Sequence, residues 1–149
     1  MKKQFLIIFM ILCILLAVVS LLIYHQIRTK NMAKEQNKTY ENFTKQEILG
    51  TTLISLINKA MDDNEKNGVE KVQDTIYYID NQTNSISIEV KFSERQDPVR
   101  MENIANQGAE SFIRFYATTA FQCTSIEYHE KTNLVKSLSF TQVEVWFYY

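Results

Sequence analysis

Residues 5–24 read FLIIFMILCILLAVVSLLIY, twenty positions without a charge, in which only Ser20 and Tyr24 carry a side-chain hydroxyl. At about 1.5 Å per residue, a helix of this length covers a hydrocarbon core about 30 Å thick. A helix also satisfies its own backbone hydrogen bonds, as any segment crossing lipid must. The stretch is expected to be a transmembrane helix, with the rest of the chain as its cargo. A cleaved signal peptide is the competing reading, because Lys2 and Lys3 form a short positive head. Signal peptides have apolar cores of roughly 7–15 residues that close on an A-x-A-like triplet. This run is longer, and Ala17-Val18-Val19-Ser20 supplies no such triplet. Cys13 follows Leu12 with no small residue leading in, so a lipoprotein cleavage site is not expected.

Orientation is read from the flanking charges. Lys2 and Lys3 lie on one side; Arg28, Lys30, Lys34 and Lys38 lie on the other. The positive-inside rule taken alone favours a cytoplasmic C-terminus, but long domains translocate largely regardless of such charges. The short head before the run has the form of a bacterial signal anchor, which favours a C-terminal domain outside the cytoplasm. The expected organisation is a cytoplasmic head at 1–4, a transmembrane helix at 5–24, a polar stem at 25–43 and one domain at 44–149. The basic stem would sit against anionic lipid headgroups.

Composition excludes several classes of function. The chain carries 16 basic and 17 acidic residues, and without Lys2 and Lys3 the balance is 14 to 17. No basic patch stands out beyond the stem, so nucleic acid is not an expected partner. Of the two cysteines, Cys13 lies in the apolar run and Cys123 in the domain, so the domain is held by its core and not by a disulfide.

The domain reads as helix, two strands, helix, then two or three strands. Thr44 and Glu47 have capping-box spacing, with Phe43 and Ile48 placed for a hydrophobic staple. Leu49, Leu53, Leu56, Ile57, Ala60 and Met61 then make one apolar helix face, and Gly68 stops the helix. Strands are expected at Thr75–Asp80 and Ser85–Phe92 around the turn Asn81-Gln82-Thr83-Asn84. Asp97 and Pro98 predict the cap and first position of a second helix. Met101, Ile104, Ala105, Gly108, Phe112 and Phe115 would line its inner face. Ala120–Tyr128 and Leu134–Phe140 finish the domain, and the tail TQVEVWFYY extends the last strand past a bulge at Gln142 or forms a fifth. Runs of adjacent strands around a helix predict an α+β fold with an antiparallel sheet.

Catalytic and metal motifs read poorly. Glu127, His129 and Glu130 offer two ligands of mixed hardness on one face of a turn, and solvated hairpin charges explain them. Asp62-Asp63-Asn64-Glu65 lacks the calcium-loop pattern and reads as a polar helix end. No nucleophile is spaced with a base, and no glycine-rich phosphate loop or C-x-x-C is present, so no enzyme and no cofactor are expected. Cys123 reads as a buried small hydrophobe.

Two features point to a partner instead. Gly50, Thr51, Thr52 and Ser55 make the first turns of the expected helix small-sided, which permits close approach of another element. Trp146 and Tyr148 alternate with Phe147 and Tyr149, so some of these rings need a second covering surface. Gly50, Thr51, Ser55, Trp146, Tyr148 and Tyr149 are therefore the candidate partner contacts.

The layout resembles type IV pilins and pseudopilins: a positive head at Lys2 and Lys3, an apolar helix, a helical extension, then an antiparallel sheet. Their processing motif has a Gly before the mature helix and a Glu five residues into it. Here Lys3-Gln4 precedes Phe5, and Phe9 and Met10 stand where the acid would fall. The stretch GTTLISLINKA also resembles small single-span proteins of Gram-positive bacteria. The resemblance implies a non-enzymatic structural or adaptor subunit of a cell-surface or secretion assembly, in contact with a protein partner or with copies of itself. A membrane-tethered sensor of a small ligand and a cytoplasm-facing regulator are the alternatives.

Overall fold

The structure, a computed structural model, describes residues 2–144. The elements are α1 (Lys2–Glu41), β1 (Ile48–Leu49), α2 (Gly50–Lys66), β2 (Ser87–Lys91), β3 (Val99–Arg100), α3 (Met101–Gln107), α4 (Ala109–Tyr116), β4 (Ala120–Tyr128) and β5 (Val135–Gln142). The chain divides into two compact units, Met1–Glu35 and Gln36–Tyr149.

The first unit is helical and contains the apolar stretch, the one helix among the described residues long and apolar enough to cross a membrane. Every residue from Ile7 to Tyr24 is exposed. Ser20 Oγ donates to the Leu16 carbonyl at 2.7 Å, which ties up its hydroxyl within the helix.

The second unit is α+β, with a five-stranded sheet in the order β1-β4-β5-β2-β3. The sheet is mixed and not antiparallel as expected. β4 and β5 form an antiparallel hairpin, and β5 lies parallel to β2 with Ile88 opposite Leu138 and Val90 opposite Phe140. Alternation puts Ile86, Ile88, Val90 and Phe92 inward, all buried, as their period predicts. They meet Leu53, Ile54, Leu56, Ile57 and Ala60 of α2, and Val135, Leu138 and Phe140 of β5, in one core. The other face carries Ser87, Glu89 and Lys91 beside Ser137, Ser139 and Thr141.

Several boundaries move, each for a physical reason. The stem is not polar throughout. Tyr40 is fully buried and Asn37 nearly so, and α1 residues from Gln36 onward belong to the globular unit. The Thr44 capping box is not used. Ile48 and Leu49 pair instead with Phe121 and Ala120, and α2 starts at Gly50. Thr75–Asp80 is not a ladder strand; Tyr78 makes one isolated bridge to Lys71. Asp97 caps nothing, since β3 intervenes and Arg100 is the residue before α3. Gly108, at φ 87°, breaks the expected second helix into α3 and α4. Within α4, Phe112 is buried, whereas Phe115 points outward at 72% exposure.

Candidate functional site

Buried polar side chains shape the surface of the α+β unit. Asn64, fully buried on α2, donates Nδ2–H to the Ile86 carbonyl and accepts from the Ile86 N–H, both at 2.8 Å. This pairing fixes the entry to β2. Tyr40 donates its hydroxyl to Asp63 at 2.6 Å, and Lys59 holds the same carboxylate at 2.9 Å. Asn37 donates to the Asn133 carbonyl at 2.7 Å and accepts from Val135 N–H at 2.9 Å. His129 is buried too, not solvated as the sequence suggested; its Nε2 lies 2.7 Å from the Ser85 carbonyl. That bond joins the β4–β5 turn to the loop before β2. Glu127 and Glu130 of the expected polar hairpin are exposed.

The connection between α2 and β2 is held by side chains. Tyr77 donates to Asn103 at 2.9 Å, and its ring stacks under the Arg100 guanidinium at 4.7 Å. Arg100 Nη2 donates to Glu102 Oε1 at 2.9 Å, and Tyr78 N–H donates to the same oxygen at 3.2 Å. Below this strap lies a cleft of about 260 Å³ lined by Tyr78, Ser85, Ser87, Glu89, Arg100, Glu102 and Lys136, among others. Asp80 and Lys136 form an ion pair at 2.9 Å on its wall. The Lys136 ammonium and the Gln82 N–H hold the Asp80 carboxyl below the usual range.

An aromatic groove of about 320 Å³ lies elsewhere on the same unit, lined by Phe92, Val99, Ile104, Phe112, Phe115 and Tyr116, with Glu94 and Arg95 also on its wall. Phe92 stacks on Tyr116 at 4.7 Å between centroids, and Phe112 meets Tyr116 at 5.2 Å. Phe121 packs edge-on against Phe92 at 5.9 Å. These rings fix the groove's floor, and Phe115 stands above it in solvent.

The sequence-derived contacts fall out unevenly. Gly50 is buried, and a Cβ there would lie 1.8 Å from the Tyr116 carbonyl oxygen. Its smallness serves the approach of α2 to α4 and is not free for a partner. Thr51 and Ser55 are exposed, with the Ser55 hydroxyl turned back onto the Thr51 carbonyl at 2.9 Å. Trp146, Tyr148 and Tyr149 lie outside the described residues. Cys123 is half-buried, and burial raises its thiol pKa. No pattern signalled Glu102, which depends on a contact from the distant Tyr78 strap.

No known protein family, curated protein or solved structure matches the chain.

Proposed function

We propose that this protein is a membrane-anchored, non-enzymatic adaptor or structural subunit, held by residues 5–24, with its α+β unit outside the cytoplasm and engaged with a partner protein. The observation that carries the reading is Phe115, 72% exposed beside a groove already floored by aromatic rings. A large ring left in water forfeits burial worth about 1.5–3 kcal/mol, which a docked partner would recover. The groove includes Val99 of β3, which among the described residues pairs with β2 alone and stands at the edge of the sheet. An open edge beside a groove of mixed aromatic and polar lining fits an extended segment that adds to the strand and sets a side chain against the rings. The expected partner is a protein segment of that kind. An adaptor of this sort needs no enclosed pocket, and both hollows described above open to solvent.

The test is photo-crosslinking in intact membranes, with benzoylphenylalanine at residue 115 and, as a control, at Gln122 on the polar face of β4. One adduct of discrete mass is expected from position 115 alone, and it should vanish when Val99→Asp is added. An identical adduct from position 122, or one indifferent to Val99→Asp, would contradict the reading.

A further inference from the structure

The stretch beyond Glu144 and the aromatic groove match each other in chemistry. Residues 145–149 read VWFYY, one β-branched and four aromatic side chains without a charge. Such residues favour extended backbone, and alternation sets Trp146 and Tyr148 on one side of it. The groove offers what an extended aromatic segment needs. Phe92, Phe112 and Tyr116 present packed rings, Phe115 stands 72% exposed beside them, and Val99 belongs to a strand at the edge of the sheet. Glu94 and Arg95 on the wall bring one charge of each sign, so an uncharged segment meets no net charge there. β3 is two residues long, so its edge gives few backbone hydrogen bonds and the rings must supply most of the contact.

Reach decides whose segment it is. Val143 N–H donates to the Ala120 carbonyl at 2.9 Å, so the chain leaves β5 along β4, on the side away from β2 and β3. Neighbouring strands lie about 4.8 Å apart, so a place outside β3 is about 14 Å from β5 across β2 and β3. Five extended residues span at most about 17 Å, which leaves about one residue to lie along β3. A segment from the same chain therefore arrives with almost nothing left to pair. One from a second copy has no such limit.

We propose that the groove of one copy receives residues 145–149 of a second copy, whose Trp146 and Tyr148 rings pack on Phe115 and the rings beside it. This rests on the docking surface proposed above and names its occupant, another copy of this chain. The contact joins unlike surfaces, groove to segment, so each copy can both give and receive. Copies then add head to tail, and the rotation between neighbours sets whether they close into a ring or form an open row.

The experiment co-expresses two full-length copies in membranes, each with its own epitope at the amino terminus. The receiving copy carries benzoylphenylalanine at residue 115. Illumination should give an adduct bearing both epitopes, in which residue 115 is joined to a peptide containing 145–149. Trp146→Ser with Tyr148→Ser in the donating copy should lower its yield at least about tenfold, and the same pair in the receiving copy should not. An adduct with a different protein would overturn the proposal while leaving the adaptor reading intact. An adduct confined to one chain would overturn it too, as would a two-epitope adduct that ignores the donor's changes or is lost equally from either side. Absence of any adduct would contradict both readings. Should the donor variant not accumulate, the wild-type peptide joined to residue 115 decides, and any peptide outside 145–149 overturns the proposal.

Discussion

Asn64 and Gly50 show how single residues set the positions of whole elements. Asn64 answers both backbone groups of Ile86 from inside the core, so its removal orphans a donor and an acceptor together. Asn64→Ala should cost about 3 kcal/mol, at about 1–3 kcal/mol for each unsatisfied group, read from urea unfolding. Asn64→Asp, nearly isosteric, should be similarly damaging, because a carboxylate cannot donate to the Ile86 carbonyl. At Gly50 a methyl would collide with backbone, which cannot rotate away. Gly50→Ala is expected to destabilise by at least about 1–3 kcal/mol despite Ala's better helix propensity. Tyr40 gives a pH signature. Burial, then the hydrogen bond to Asp63 and that carboxylate's charge, raise its pKa above the ordinary 10.0. Burial and the Glu65 carboxylate push Tyr78 up to about 12. Raised folded-state values mean that this stabilisation is complete below the unfolded pKa and is lost as pH climbs past it toward the folded values. Absorbance titration near 295 nm should therefore show Tyr40 and Tyr78 still neutral at about pH 11 in folded protein, with stability already falling. Ionisation of all eight tyrosines together near their ordinary pKa would contradict these contacts.

At the scale of elements, what was legible followed local pattern, and what was missed followed long-range pairing. The period of SISIEVKF placed four residues in the core, and the limits of β4 were read correctly from AFQCTSIEY. The apolar face of α2 was mostly right, with Leu53, Leu56, Ile57 and Ala60 buried, but Leu49 lies half-exposed in β1. There a sound capping signal at Thr44 lost to pairing with β4, which no local pattern encodes. The parallel β2–β5 contact was invisible for the same reason. Gly108 was visible but misplaced: a glycine expected on the inner face of one continuous helix is a positive-φ break. The end of α1 is the costliest miss, because two buried side chains hide in a polar sequence. A soluble chain starting at residue 36 should fold cooperatively, while one starting at residue 44 loses Asn37 and Tyr40. The shorter chain should melt several degrees lower or show no cooperative transition, measured by circular dichroism. Equal melting of the two would show that the α1 end is ornamental.

The whole molecule combines an apolar helix long enough to cross a membrane with an α+β unit that has one core and an aromatic groove at its surface. The candidate site was only partly legible. Small residues at 50–55 suggested a partner face, yet the closest approach they allow is used inside the fold by α4. Phe115 was expected in the core and instead marks the groove. Replacing it should separate binding from folding. Phe115→Asp should leave the unfolding midpoint within about 0.5 kcal/mol of wild type, as for other exposed positions, while abolishing partner association. A large loss of stability would instead place that ring in the core.

The proposed role of the groove requires that the chain is anchored as its apolar stretch implies. The direct measurement is protease treatment of intact protoplasts bearing the full chain with a C-terminal epitope, combined with alkaline extraction of their membranes. The protein is expected to stay in the membrane pellet, and protease is expected to remove the epitope without lysis. Release into the soluble fraction, or an epitope protected until the cells are lysed, would contradict it.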